Sequence, residues 1–211
     1  MRVLRILATL GLFTAMAWPA TAAPQYTCFG QVATHVGTPG SDRVDADEAG
    51  SVIVGLGGND DLDGSVVCGG KGNDELRGPD VSGGPGGDFI YGQAGGSVVL
   101  GGGGDDHLWD LAYEFGSQPV YKGNAGNDVY TDNAGDDVFY GGAGNDSTHD
   151  GEGGGSGADR FYGGDGDDYL RSTAYGDAGP DLVNGGAGND TCFVNSNDTV
   201  INCETVNGVA T

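Results

Sequence analysis

Basic residues are scarce in this chain: 8 Lys and Arg stand against 31 Asp and Glu. That balance excludes a nucleic-acid partner, whose phosphates need a cationic surface. An anionic lipid surface would repel the chain in the same way. Proline is also sparse, at 7 residues, and no three-residue glycine period accompanies it, which excludes collagen. The four cysteines contain no C-x-x-C pair, so zinc-ribbon and thioredoxin-type sites drop out. Lys71 and Lys122 are not followed by Ser or Thr, so no phosphate-binding P-loop is present. His35, His107 and His149 are scattered, and Ala158 stands where a nucleophile elbow around Ser156 would need its closing glycine. No catalytic constellation emerges, and the expectation is a protein that is not an enzyme.

What the chain does have is glycine, 45 of 211 residues, about three times the ordinary share. Glycine at this density makes helix costly. The N-terminus reads as a secretory signal: Arg2 and Arg5, an apolar stretch from Ile6 to Trp18, then the small-x-small triplet Ala20-Thr21-Ala22. The apolar stretch falls short of the ~20 residues that span a bilayer. Removal of residues 1–22 leaves 6 basic against 31 acidic residues, a charge of −25, in a secreted, extracellular chain. Such a charge requires either a disordered polyanion or divalent cations on the acids.

Order along the chain decides. Aspartates preceded two places earlier by glycine, and in every case but Asp146 followed two places later by an apolar residue, recur at Asp42, Asp60, Asp74, Asp88, Asp106, Asp128, Asp137, Asp146, Asp159, Asp168, Asp181 and Asp190. Ser51 and Ser97 fall in the same frame by spacing alone. Of these fourteen turns, thirteen carry an apolar residue two places after the anchor, with Thr148 the exception. Composition alone would supply about five. The common spacing is nine, and the departures are insertions or a lost turn, the longest at 107–121 with Trp109, Tyr113, Phe115 and Tyr121. Disorder has no reason to keep such a register.

The segments Gly69-Gly70-Lys71-Gly72-Asn73-Asp74-Glu75-Leu76 and Gly163-Gly164-Asp165-Gly166-Asp167-Asp168-Tyr169-Leu170 resemble the hemolysin-type, or repeats-in-toxin, calcium-binding nonapeptide. Cys28-Phe29-Gly30, Gly37-Thr38-Pro39-Gly40 and Cys68-Gly69-Gly70 resemble short secreted actinobacterial members. The resemblance covers residues 37–192 and implies an all-β, right-handed parallel β-roll, a β-solenoid with two nine-residue units per coil. It also implies several Ca²⁺ ions, each held between loops on one edge 18 residues apart, as in the pairs Asp42/Asp60, Asp88/Asp106 and Asp128/Asp146. Asp159/Asp181 and Asp168/Asp190 are 22 apart because of an insertion around residues 172–175. Family toxins, proteases and lipases carry a further catalytic or pore-forming domain, and none is visible here.

The chemistry suits the residues. Calcium takes six to eight oxygens from carboxylates and backbone carbonyls, and glycine lets a loop turn carbonyls inward. The candidate ligands are the twelve anchor aspartates and the residues just before them, Asn59, Asn73, Asp105, Asn127, Asp136, Asn145, Asp167 and Asn189, for which a tolerance of left-handed backbone is the expected reason. Ser51 and Ser97 lack a carboxylate, so their loops should bind more weakly.

Four cysteines in an exported chain predict two disulfides with three connectivities open. Cys192–Cys203 would close the last coil, and Cys28–Cys68 would tie the N-terminal segment to the roll. The domain reading is a signal at 1–22, an N-terminal cap at 23–36, the roll at 37–192 and a C-terminal cap and tail at 193–211. The function expected is a secreted calcium-binding protein that folds on its ions and serves as a structural or adhesive module, with an extracellular protein or glycan as partner. Its rival is a glycan-modifying enzyme or toxin fragment, for which only the 107–121 insertion offers room.

Overall fold

The computed structural model describes residues 25–46, 48–93, 98–111, 118–150, 157–173 and 179–208. The expected signal, Ser97, Tyr113, Phe115 and residues 174–175 lie outside them.

From His35 onward short strands follow one another along the chain and pair with the strand two places on, always in parallel. Among the described residues this builds two ten-stranded sheets. The first holds His35–Val36, Val52–Gly57, Val66–Lys71, Asp80–Pro85, Val98–Gly103, Val120–Ala125, Val138–Ala143, Arg160–Asp165, Leu182–Ala187 and Thr199–Ile201. The second holds Arg43–Asp45, Asp61–Asp63, Glu75–Gly78, Phe89–Gly92, His107–Asp110, Val129–Asp132, Ser147–Asp150, Tyr169–Arg171, Thr191–Val194 and Thr205–Gly208. The chain alternates between them, so each pair of strands is one coil of a parallel β-solenoid.

Strand alternation sends one side chain per strand inward. In the first sheet the inward column runs Ile53, Val67, Val81, Val99, Tyr121, Phe139, Phe161 and Val183, all fully buried. In the second it runs Leu62, Leu76, Ile90, Leu108, Tyr130, Thr148, Leu170 and Cys192, also fully buried. Every residue expected two places after a described anchor points inward, Val44 less completely. Burying a side chain such as Phe139 contributes roughly 2–3 kcal/mol. With two such residues per coil, the core is a thin double column. Thr148 fits because its hydroxyl donates to the Arg171 carbonyl (3.1 Å) and accepts from the Arg171 N–H (2.7 Å).

The disulfides are Cys28–Cys68 and Cys192–Cys203, as expected. The first pins a small antiparallel hairpin, Thr27–Cys28 with Gln31–Val32, onto the outer face of the first sheet. There Cys28, Val52, Val54 and Val66 form a second apolar cluster. The second disulfide joins the core column to the last coil.

Two expectations need correction. Coils are not uniformly two nonapeptides: successive anchors from Asp42 to Asp190 lie 14, 18 or 22 residues apart. All of that variation falls on one edge. On the edge leading into the second sheet, three residues separate the strands in every coil from Asp60 to Asp190, as between Gly57 and Asp61. On the other edge the gap is one residue at Pro79, two at Gly64–Ser65 and longer elsewhere. Nor is 107–121 irregular throughout. His107–Asp110 and Val120–Ala125 are regular strands, Trp109 pairs in register with Tyr91, and Tyr121 is a core residue. Tyr121 escaped notice because Pro119, not an aspartate, precedes it by two.

Candidate calcium-binding edge

The constant edge carries Asp42, Asp60, Asp74, Asp88, Asp106, Asp128, Asp146, Asp168 and Asp190, one per coil. From Asp60 onward these carboxylates are almost wholly buried. Each uses Oδ1 to accept the backbone N–H of the anchor one coil earlier. Asp60 donates to Asp74 (2.8 Å), Asp88 to Asp106 (2.7 Å), Asp106 to Asp128 (2.8 Å) and Asp168 to Asp190 (2.9 Å). The ladder ends where Asp190 N–H donates to Glu204 Oε2 at 2.8 Å.

The other oxygen has no such use. Oδ2 of Asp60, Asp74, Asp88, Asp106, Asp128, Asp146, Asp168 and Asp190 is buried without a hydrogen-bond partner. A carboxylate so placed costs several kcal/mol unless a cation compensates it. Its surroundings are oxygens. At Gly83, the point where a β-carbon would stand is 2.1 Å from Asp88 Oδ2 and 2.5 Å from the Gly101 carbonyl oxygen of the next coil. At Gly163 the same point is 2.0 Å from Asp168 Oδ2 and 2.4 Å from Gly185 O. Gly55, Gly69, Gly101, Gly123 and Gly141 repeat the arrangement, and at Gly185 the carbonyl comes from Asn202. The glycine five places before each anchor thus leaves open a space on which a carboxylate and a carbonyl converge. The glycine two places before the anchor has positive φ, as at Gly104 (φ 116°), and no room for a side chain against the Gly86 carbonyl.

Burial raises Asp60, Asp74, Asp88, Asp106, Asp128, Asp146 and Asp168 above the ordinary carboxylate range. It pushes Asp88, Asp106 and Asp146 up to about 7 and Asp128 and Asp168 up to about 6. The accepted N–H bond works the other way, and neighbouring carboxylates add to the rise. Converging buried oxygens on a carboxylate column are the donor set of a hard cation.

Comparison with known families agrees. The pattern of the RTX calcium-binding nonapeptide repeat, four copies, matches residues 36–66, 82–109, 122–149, 154–173 and 171–201. The chain belongs to this family. No curated protein and no solved structure matches it. It is a calcium-binding repeat protein folded as a β-roll.

In this RTX roll the residues before the anchors have a different task from the one expected. Asn59, Asn73, Asp105, Asn127, Asn145, Asp167 and Asn189 are not left-handed, since the loop glycines take the positive φ angles. Instead the side-chain oxygens of all of these but Asn189 accept backbone N–H groups from the next coil. Asn59 Oδ1 accepts from Asn73 (3.0 Å), Asp105 from Asn127 (2.7 Å), Asn145 from Asp167 (2.9 Å) and Asp167 from Asn189 (2.9 Å). Two side-chain ladders therefore run in opposite directions beside each other.

The variable edge is different. Asp137, Asp159 and Asp181 form a short ladder through Asp137 N–H to Asp159 (2.8 Å) and Asp159 N–H to Asp181 (2.9 Å). Asp136 accepts from Ala158 at 3.1 Å. Earlier coils have Ser51, Ser65, Pro79 and Pro119 at the corresponding place. Ser51 is buried and spends its hydroxyl on the Ala46 carbonyl (3.0 Å). Outside the sequence pattern, Asp198 Oδ1 accepts from Asp181 N–H (3.1 Å) and Glu204 Oε2 from Asp190 N–H. Both have a valine two places on, Val200 and Val206, but neither has the glycine two places before.

Proposed function

We propose that this is a secreted protein whose roll forms when calcium ions bind between successive coils of the constant edge. The anchor Oδ2 atoms and the loop carbonyls would be the ligands, and Asp137, Asp159 and Asp181 a second set on the variable edge. The observation that carries this is the row of eight buried, unpartnered Oδ2 atoms, each facing a carbonyl across a glycine. A column of like charges with so thin a core is poorly stable alone, and a hard dication supplies the missing charge. The role is structural or adhesive rather than catalytic. A strip of rings on the outer face of the second sheet, Phe89, Tyr91, His107 and Trp109, offers the adhesive surface for a protein or glycan. These rings stack from coil to coil, so they stand in place only when the roll is formed.

Far-UV circular dichroism of the chain tests the proposal. A disordered spectrum in chelator and a β spectrum in millimolar calcium are expected, with magnesium a poor substitute because it dehydrates reluctantly. An unchanged β spectrum in chelator would overturn it.

A further inference from the structure

Among the described residues, the variable edge holds a buried carboxylate cluster in which two of the three acids lie outside the glycine loops. Asp110 ends the strand His107–Asp110 and Asp132 ends the strand Val129–Asp132 in the following coil. Asp137 anchors the turn after Asp132. All three are fully buried or nearly so, at 0%, 1% and 0% exposure. One carboxylate oxygen from each lies within 4.8 Å of the other two.

Two phenols are aimed at this cluster from the core. Tyr121 donates to Asp110 Oδ1 at 2.7 Å. The Tyr130 hydroxyl lies 3.1 Å from Asp132 Oδ1 and 3.3 Å from Asp137 Oδ2, but its single proton can serve one of them. Asp137 Oδ1 is left buried with no hydrogen-bond partner. The residue four places after the anchor is Gly64, Gly78 and Gly92 in earlier coils, and becomes Asp110 and Asp132 here. Gly92 makes room for the arrangement, since a β-carbon there would stand 2.4 Å from the Tyr121 hydroxyl oxygen.

We propose that Asp110, Asp132 and Asp137 hold a calcium ion inside the variable edge, apart from the ions of the glycine loops. Three carboxylates give an oxygen-only donor set, which favours Ca²⁺ over Zn²⁺ and the softer metals. The dication offsets two of the three charges, and the Tyr121 and Tyr130 hydroxyls lie against the remainder. The ion would sit where the Asp137–Asp159–Asp181 ladder begins, closing its open end.

Calcium counting by native mass spectrometry on the full chain, stripped with chelator and reloaded with calcium, tests this. The Asp110→Asn/Asp132→Asn variant should carry one ion fewer than wild type. Asp74→Asn, on the constant edge, should lose binding elsewhere, so that the triple variant shows both losses. An unchanged count with an equal or higher melting temperature in Asp110→Asn/Asp132→Asn would overturn the proposal and assign the cluster to shared protons. If that variant does not fold, Asp110→Asn alone decides by calorimetry: one site weakened tenfold or more supports the ion, and all sites unaltered overturns it. Loss of all binding only in the Asp110/Asp132 variant, with Asp74→Asn unaffected, would sink the glycine-loop reading and leave this site standing.

Discussion

Asp88 N–H donates to Asp106 Oδ1 at 2.7 Å, while Asp106 Oδ2, on the same carboxylate, is buried with nothing to bond. One carboxylate thus splices two coils with one oxygen and presents the other to a cation. Burial, the larger effect, pushes Asp88 and Asp106 up to about 7, and the N–H bond only partly counters it.

A pH dependence follows. Without calcium, the folded roll binds more protons than the unfolded chain, whose aspartates titrate near 3.9. The stability this contributes is fully present below about pH 4 and is lost as pH rises through 6 to 7. Chelator-treated protein should therefore show more β structure at pH 5 than at pH 8. Calcium binding should weaken on acidification and release protons, measurable by calorimetry in buffers of different ionisation enthalpy. More β structure at pH 8 than at pH 5 in chelator would contradict this.

Gly101 and Gly103 lie two residues apart and should respond very differently to alanine. A β-carbon at Gly101 would stand 2.3 Å from Asp106 Oδ2, whereas at Gly103 it meets nothing within 4 Å. Gly101→Ala should cost about 2–3 kcal/mol or more in calcium and weaken one ion site. Gly103→Ala should change stability by less than about 1 kcal/mol. Thermal melts at saturating calcium distinguish them.

Asn124 has φ 81° at a position that is Gly102 or Gly142 in neighbouring coils. Asn124→Gly should be neutral or raise the melting temperature slightly, although it loses a 3.3 Å bond to the Lys122 carbonyl. Asn124→Val should lower stability by about 1–2 kcal/mol, because a β-branched residue resists this backbone.

How much was legible beforehand follows from where glycine and aspartate stand. The constant edge was readable from Asp42 to Asp190, though not at its last rung, Glu204, because its three-residue turn keeps one length and so repeats its letters at Gly83, Asp88, Gly101 and Asp106. The inward residues Val67, Val81 and Tyr121 were not, since Ser65, Pro79 and Pro119 before them carry no ion-binding signature. Asn59 and Asn127 were found for the wrong reason: tolerance of left-handed backbone is a local property, while their use as acceptors for the next coil depends on stacking. Asp110 and Asp132 went unnoticed because they fall four places after an anchor, outside the searched frame. Sequence spacing alone does not reveal that the strand ends there meet Asp137.

The Cys192–Cys203 disulfide closes a short loop at the end of the core column. The chain-entropy model gives it roughly 2–3 kcal/mol. Reduction at saturating calcium should lower the melting temperature by several degrees while leaving the β spectrum in place. Collapse of the whole roll on reduction would show that the last coil holds up the rest.

The central claim is that ions are shared by successive coils of one edge. Asp128 and Asp146 belong to one ladder, linked by a 2.8 Å bond, and Asp137 to the other, linked to Asp159. Calorimetric calcium titration of Asp128→Ala, Asp146→Ala, Asp137→Ala and the double variants Asp128→Ala/Asp146→Ala and Asp128→Ala/Asp137→Ala measures the coupling directly. Asp128→Ala and Asp146→Ala together should cost less binding free energy than the sum of the two alone. Asp137→Ala should be close to additive with Asp128→Ala, blurred only by stacking between neighbouring strands. Additive losses for Asp128 and Asp146, with Asp137 coupled to Asp128 instead, would contradict the account.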